Sequence, residues 1–480
     1  MINFRIIARV FSLVLVIEGL SMLVSAGVSF LYKEPNSILF SGIITIVTGI
    51  LVFTPLRNEE KLSGNKEGYI IVAGMWLILS LFGTLPYILT GTIKNFGDAF
   101  FESMSGFTTT GATILTDIES NSHGILFWRS LTQWLGGIGF IIISMSVLQV
   151  VKTINIPLTI TYFTGQATNK IHPKIQETGK RLITIYALLT LAEAIMLIIG
   201  GMNVFDAVCH SFSTMSTGGF STFNSGIATI GSPFILIILT IFMFLAGTNM
   251  TIVYFGLKRN FKKVAGSTEF IFYALTCLIF IAVVTVYQWT KAGYPPGKAL
   301  LEGSFHVVSI ITTTGFSHSD ISQWGSLLIM ISFILMFTGG MSGSASGSLK
   351  IIRLLLLTKN ARQEMRRMIH PNGFIPVRLD HKIVPQSIII NILVFITLYF
   401  LMICFSSLVI SLMGFDIITS FSTAASLLGN IGPTLGSSGP NLNYASVQAG
   451  GKMFFSFIML LGRLELLSFL VLLTGSFYRR

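Results

Sequence analysis

Ten apolar segments, at about 10–31, 37–55, 69–90, 125–150, 182–200, 232–257, 268–290, 325–357, 384–413 and 452–475, punctuate this chain from end to end. About 20 consecutive apolar residues match the hydrocarbon thickness of a bilayer. In lipid every backbone N–H and C=O needs a partner inside the protein, which leaves helices, or loops buried by other helices. The predicted fold is therefore an all-α polytopic membrane protein. Composition agrees, with 52% hydrophobic and only 10% charged residues among 480, where soluble domains carry about a quarter charged. An ordinary soluble enzyme is excluded.

A net charge of +12 raises the question of nucleic acid, but the basic residues are spread in short clusters between the spans. They fall at the N-terminus, at 57–66, 152–181, 258–263, 350–382 and at Arg479–Arg480. With ten crossings all of these lie on one side, the pattern of cytoplasmic loops, so both termini are predicted cytoplasmic and no nucleic acid is expected. The first span follows Arg5 and Arg9 and exceeds a signal-peptide core, so it is read as a retained helix. Outer segments carry Asp98, Glu102, Asp117, Glu119, Asp206, Glu302 and Asp416, which predicts a negative face toward an arriving cation. Lys33, Lys94, Arg129, Lys291, Lys298, Lys452 and Arg463 are the basic residues left for outer loops or spans. Cys209, Cys277 and Cys404 are far apart in sequence and predict free thiols.

Between paired long spans lie shorter segments, 96–109, 204–217, 299–313 and 415–428, too short to cross and read as re-entrant hairpins. They repeat. Asp98 precedes Gly111, Asp206 precedes Gly219 and Glu302 precedes Gly315 by the same 13 positions. An acid at the start of each short helix complements its positive end, and the C-terminal carbonyls would then face a cation. In the fourth copy Gly432 follows Asp416 by 16, while Gly429 keeps the equal spacing; Gly432 is preferred because Asn430-Ile431-Gly432-Pro433 resembles the Thr-Val-Gly-Tyr of potassium filters. The following spans carry Leu135-Gly136-Gly137, Leu245-Ala246-Gly247, Thr338-Gly339-Gly340 and Leu461-Gly462-Arg463 in one register. The predicted organisation is a two-helix unit over 1–67 and four helix/re-entrant loop/helix units over 68–178, 179–266, 267–382 and 383–480 around a central pore.

Four extended, glycine-bearing loops around an axis satisfy the rule for irregular backbone in a membrane, and a ring of carbonyls can replace the water shell of a monovalent cation. The candidate filter residues are Thr109, Thr110 and Gly111; Thr217, Gly218 and Gly219; Thr313, Thr314 and Gly315; and Asn430, Ile431 and Gly432. In the third unit the run from Gly339 to Ser348, with Gly340, Gly343, Ser344 and Gly347, is one that a continuous helix would not choose, so the span should break ahead of Lys350. This loop and Arg463, a charge near mid-span that repeat alignment turns toward the axis, are the candidate gate. Glu465, two residues on, should lie on another helical face; an Arg–Glu network away from the axis is the alternative for Arg463.

Thr-Thr-Thr-Gly-Ala, Ser-Thr-Gly-Gly-Phe-Ser, Thr-Thr-Thr-Gly-Phe-Ser and Gly-Asn-Ile-Gly-Pro, with Leu-Gly-Arg-Leu-Glu in the final span, resemble the Trk/Ktr/HKT superfamily of potassium transporters over nearly the whole chain. The two extra N-terminal spans resemble TrkH and TrkG rather than KtrB. The resemblance implies four units folded like potassium-channel subunits, a potassium filter that also admits rubidium, a homodimer in the bacterial inner membrane, and a cytosolic TrkA-like ring of nucleotide-binding subunits. It further implies that the broken third-unit loop gates the path beneath the filter. Potassium is favoured because all four glycines are present, where sodium-selective plant relatives place serine in the first loop. Ala112 and Pro433 stand where other copies have Phe220 and Phe316, so the filter is not fourfold equivalent.

A proton- or sodium-coupled carrier is the rival, since carriers bind at broken helices near the midplane, but they commonly use inverted repeats, while these units share one orientation. No HExxH, phosphate-cradling GxxxxGK[ST] or nucleophile–base pair points to an enzyme, and no organic cofactor is expected. Glu18 and Glu193 are read as helix-to-helix hydrogen-bonding acids, and His210 and His306 as non-ligating. The basic 350–382 segment suits anionic lipid of the bilayer or a regulatory subunit equally.

Overall fold

The computed structural model describes residues 2–56, 65–153, 175–318, 324–380, 382–435 and 443–475. The basic stretches 57–64 and 154–174 and Arg479–Arg480 lie outside the described residues. An N-terminal hairpin of α1 (Phe4–Leu31) and α2 (Ser37–Phe53) packs along small residues. A Cβ on Gly19 would lie 2.9 Å from the Gly42 carbonyl oxygen, and one on Gly49 2.9 Å from that of Ser12. Close backbone approach of this kind gains dispersion where no hydrophobic effect operates between helices.

Four units come after it. The first has α3 (Asn65–Phe82), its short continuation α4 (Leu85–Leu89), pore helix α5 (Phe96–Phe107) and α6 (His123–Thr153). The second has α7 (Ile175–Ile199), pore helix α8 (Val204–Met215), α9 (Pro233–Ala246), α10 (Met250–Leu257) and a short α11 (Phe261–Ala265). The third has α12 (Thr268–Thr290), pore helix α13 (Pro296–Ile311), α14 (Ser326–Leu335) and α15 (Ile351–Ile369), followed by a hairpin of β1 (Arg378–Leu379) and β2 (Lys382–Ile383). The fourth has α16 (Gln386–Leu412), pore helix α17 (Ile417–Gly429), α18 (Ala449–Arg463) and α19 (Leu467–Leu473). Lys452 of α18 reaches Asp98 of α5 at 2.8 Å, joining the last unit to the first. Leu51, Leu278, Leu401 and Leu408 are each more than half exposed, an apolar periphery that suits lipid.

Pore-helix starts obey their caps. Asn95 accepts from Gly97 N, Asn203 from Asp206 N and Asp416 from Thr419 N, whereas α13 opens on Pro295-Pro296. Asp98 and Asp206 thus sit in first turns and Asp416 is itself the cap. The expected placement fails for Glu302, which lies six residues into α13, because the Pro-Pro start adds more than a turn ahead of it. The 16-residue spacing in the fourth unit has the same kind of cause: the acid, not the glycine, has moved one turn.

The sequence singles out one broken second span; three are broken. In the second unit α9 and α10 meet at 114° across Gly247-Thr248-Asn249, with Asn249 capping α10 through Thr251 N. In the third unit the helix stops at Leu335 and resumes at Ile351. In the fourth it breaks after Arg463, with Glu465 at φ +54° and Leu466 at φ +37°. The first unit's α6 runs unbroken for 31 residues.

Candidate functional site

Each pore helix ends in a loop with the same backbone alternation. Thr109, Thr217, Thr313 and Asn430 have φ between +53° and +57°, and two residues later Gly111, Gly219, Gly315 and Gly432 have φ of +80°, +76°, +75° and +98°. Left-handed threonine is costly for a β-branched residue, and such strain persists only where surroundings enforce it. The enforcement is a ring. A Cβ on Gly111 would lie 2.2 Å from the Gly218 oxygen, on Gly219 2.0 Å from Thr314 O, on Gly315 1.9 Å from Ile431 O, and on Gly432 2.5 Å from Thr110 O. Every glycine abuts the carbonyl preceding its counterpart in the next loop, and the fourth closes on the first. Gly432, at the ring, is therefore the fourth glycine; Gly429 is the last residue of α17. The ring opens into a cavity of about 110 Å³ lined by the four glycines, Ala112, Pro433 and Tyr444.

The loops are braced by four different devices. Thr108 and Thr110 pair their hydroxyls at 2.8 Å, as do Thr312 and Thr314. Asn430 Nδ2 donates to Thr110 Oγ1 at 2.9 Å and to Met459 O at 3.0 Å. Gln133 of α6 donates to Gly218 O at 2.6 Å and accepts from Phe220 N at 3.1 Å, so one side chain spans Gly219. Tyr444 OH donates to Gly432 O at 3.3 Å. Behind loops one and two lies the buried pair of Arg129 and Glu102 at 2.9 Å; Glu102 also accepts from Thr113 and Ile114 N, and Arg129 donates to Ser221 O and lies over the Phe220 ring at 4.1 Å. Sequence reasoning misses Gln133, Arg129 and Tyr444, and places Glu102 on the outer surface. A lone polar residue on an apolar span is the available signal, since such a group needs a buried partner.

The negative outer face is reduced accordingly. Asp98 pairs with Lys452, Glu302 lies 3.6 Å from Lys298, and Asp206 accepts from Thr222 at 2.6 Å. Asp117 stays outside, its carboxyl held below the ordinary carboxylate range first by the Asn224 amide at 3.0 Å and then by Ser120.

The segment 339–348 is a self-bonded loop between α14 and α15, with Gly339, Gly343, Ser348 and Lys350 at positive φ. Gly340 N donates to Ser346 Oγ, Ser344 and Ser346 share a hydrogen bond at 2.7 Å, and Lys350 Nζ donates to the Ser344 and Ser346 carbonyls. It rests directly on the ring loops. Gly347 N donates to Thr313 Oγ1 at 2.7 Å, and a Cβ on Gly347 would lie 2.1 Å from Gly429 O. Arg463 donates to Ala345 O at 2.8 Å and to Gly136 O at 3.0 Å, clasping this loop to α6, with its guanidinium 4.4 Å from the centre of the Phe140 ring; the Lys350 ammonium lies 5.1 Å from the same ring. Glu465 pairs with Arg353, leaving Arg463 to the loop. An Arg463–Glu465 pair is not formed.

The residues discounted in sequence are buried in helix contacts. His210 bonds Asp206 O and Ser221, and His306 bonds Ser332. Glu18 and Glu193 are fully buried, and Glu18 has no hydrogen-bond partner among the described residues, which corrects its reading as a helix-to-helix bonding acid. Among the described residues no group of three or more His, Cys, Asp or Glu is placed to hold a metal ion, and Cys209, Cys277 and Cys404 are free.

Together these elements define a multi-pass, all-helical membrane protein of four pseudo-symmetric channel-type units around a central axis, preceded by a two-helix hairpin. Residues 35–477 match the TrkH family, described as cation transport protein, and the chain belongs to that family. It is 34% identical to the Trk system potassium uptake protein TrkH of Salmonella typhimurium over 99% of this chain and 100% of that protein. It is 30% identical to the Trk system potassium uptake protein TrkG of Escherichia coli K12, covering 99% of each. Over the full length of both chains it superposes with a TM-score of 0.91 and 30% identity on the crystal structure of the potassium transporter TrkH from Vibrio parahaemolyticus.

Proposed function

We propose that this chain takes potassium across the bacterial cytoplasmic membrane through a filter made of the four glycine loops, with the 339–348 loop, Lys350 and Arg463 as gate. The observation that carries the reading is the closed ring of Thr110, Gly218, Thr314 and Ile431 carbonyls against the next loop's glycine. Carbonyl dipoles at that spacing suit a dehydrated monovalent cation, and potassium and rubidium are the cargo that the names of full-length relatives and this chemistry favour. The units take the boundaries 68–178, 179–266, 267–382 and 383–480 after a 1–67 hairpin. Both termini are cytoplasmic in this reading, the chain acts as a homodimer, and the basic cytosolic face receives a TrkA-like nucleotide-binding ring. The chain performs no enzymatic step.

Arg463 supplies the barrier. A guanidinium about 6 Å from a monovalent ion at an effective dielectric near 20 repels it by roughly 3 kcal/mol, which slows passage by about two decades. The same side chain holds the loop at Ala345, so one displacement would move both charge and backbone out of the path.

The test is current across planar bilayers carrying purified protein under opposed potassium and sodium gradients, for the wild type and Arg463→Ala. A reversal potential near that of potassium and a current ten- to a hundredfold larger in the variant are expected. Silence from both, with rubidium uptake that needs an imposed proton gradient, overturns the channel mechanism in favour of a coupled carrier.

A further inference from the structure

Two neighbouring residues at the start of α12 face in two directions. Glu269, 6% exposed, accepts from Ser342 N at 2.7 Å and from Ser342 Oγ at 3.2 Å, in the middle of the gate loop. Thr268 donates through both its N–H and its hydroxyl to Asp380 Oδ1, at 2.9 and 2.7 Å, and Asp380 stands at φ +45° in the turn of the β1–β2 hairpin. The hairpin is thereby one residue removed from the group that fixes the centre of the loop.

It also holds the loop's exit. Lys359 of α15 donates to Arg378 O at 3.0 Å, and Arg367 donates through two nitrogens to Ile375 O. Val377 and Leu379 share a small core with Ile352, Leu355 and Leu356 of α15 and with Ile388 and Ile389 of α16. Since α15 begins three residues after Ser348, the hairpin and α15 form one packed body that reaches the loop by two routes. One runs along the helix into Lys350; the other runs through Asp380, Thr268 and Glu269 into Ser342. The far side of Ser342 is fixed by the second unit, where Asn249 Nδ2 donates to Ser342 O at 2.6 Å and Gly247 O accepts from Met341 N at 2.8 Å. A charged acceptor in a buried hydrogen bond is stronger than a neutral one, so Glu269 is the strongest single hold on this part of the loop.

We propose that Glu269 is the positioning residue that keeps the gate loop closed and that the cytosolic hairpin, through Asp380 and Thr268, sets where Glu269 stands. A displacement of the hairpin would pull α12's first turn and release Ser342. This rests on the reading of 339–348 as the gate.

The test is the open fraction in single-channel records and rubidium efflux from proteoliposomes, for full-length Glu269→Ala, Glu269→Gln, Asp380→Ala, the Glu269→Ala/Asp380→Ala double variant and Arg463→Ala. Glu269→Ala is expected to raise efflux about tenfold. Glu269→Gln keeps an acceptor oxygen and is expected within about threefold of the wild type, and the double variant no higher than Glu269→Ala alone. Additive effects of the two alanines, or efflux from Glu269→Ala equal to wild type while Arg463→Ala raises it, overturn the proposal and leave the gate standing. If Arg463→Ala also leaves efflux unchanged, the gate reading itself fails. A variant that elutes as aggregate is replaced by Ser342→Pro, which removes the N–H that Glu269 holds and is expected to give the same tenfold rise.

Discussion

The second helix of the first unit and that of the third both reach the ring with a Gly-Gly pair, Gly136-Gly137 and Gly339-Gly340, yet one continues for 31 residues and the other dissolves from Met336 to Lys350. The residues immediately after the pair decide. Ile138-Gly139-Phe140-Ile141 favours helix, whereas Met341-Ser-Gly-Ser-Ala-Ser-Gly-Ser348 places residues whose hydroxyls compete for backbone groups beside glycines that lose the most entropy in a helix. The freed backbone then finds partners from neighbours: Gly247, Glu269, Thr313 and Arg463. In the first unit the pair serves packing, because a Cβ on Gly136 would lie 2.0 Å from Phe107 O and one on Gly137 3.1 Å from Ser216 Cα. Identical dipeptides in one register thus make a rigid wall in one unit and a loop in another.

The largest expected effect concerns the ring that both helices surround. Gly315→Ala would put a methyl 1.9 Å from Ile431 O at a φ of +75°, and neither backbone can yield without opening the ring. A cost of roughly 3 kcal/mol corresponds to about two decades, so rubidium uptake in proteoliposomes should fall about a hundredfold or more. Uptake within threefold of wild type would remove the ring from the transport path.

One substitution in each helix tests the contrast between wall and loop directly. Gly347→Ala meets the Gly429 carbonyl at 2.1 Å and should drive the loop off the third and fourth ring loops, breaking the bond to Thr313; rubidium efflux should rise about tenfold, on the order of 1.4 kcal/mol. Gly139→Ala meets only Trp76 at 3.4 Å, an ordinary contact, and gains helix propensity of up to about 1 kcal/mol. Its efflux should match wild type while thermal unfolding in detergent moves upward. Equal efflux from the two variants would mean that the third-unit loop is scaffold like α6.

Next in size is Gln133→Leu. The side chain spans Gly219 from Gly218 O to Phe220 N, and losing a buried bond of this kind costs about 1–3 kcal/mol. The second loop should loosen while the others keep their own braces, so the potassium-to-sodium permeability ratio from reversal potentials is expected to drop about three- to tenfold with unitary current kept. An unchanged ratio would show that the loops are held by the ring contacts alone.

How much of this is legible in the sequence depends on the kind of constraint. The ring is legible because it repeats: Thr-Thr-Gly at a fixed distance from a short helix's start is a local pattern, and Gly432 is reached through Asn430 and Gly432 despite the displaced acid. The third-unit break is legible because ten residues of glycine, serine and alanine have no other use in a span. The second-unit break is not, since Gly247-Thr248-Asn249 is short and only Asn249 as a cap gives it away. The fourth is less so. Leu464-Glu465-Leu466 carries no breaker, and its strained backbone is coupled to the Arg353–Glu465 pair, 112 residues apart in sequence. Arg129 with Glu102 and Gln133 with Gly218 are likewise choices of partner that only the fold makes.

The smallest effect separates two outer seams. Between the first and second units the seam runs through Asn224, which accepts from Ile118 N at 2.6 Å and donates to Asp117 Oδ1 at 3.0 Å; between the second and third it is the bond from Ile227 N to Ser317 O at 3.0 Å, made by two backbone groups that do not titrate. Asp117 has its carboxyl lowered by Asn224 and Ser120, so the folded state binds its proton less readily than the unfolded chain does. Its contribution is then present in full above the unfolded carboxylate value of about 3.9 and is lost as pH falls through the lower folded one. Thermal unfolding of the wild type and Asp117→Ala in detergent should therefore differ by a small, constant amount from about pH 7 to about pH 5, and the curves should converge below about pH 4. Ser317→Ala, which keeps the carbonyl, should shift neither curve with pH in that window. A difference at the Asp117 seam that persists undiminished at about pH 3 would show that its carboxylate charge is not what holds the first two units together at their outer edge.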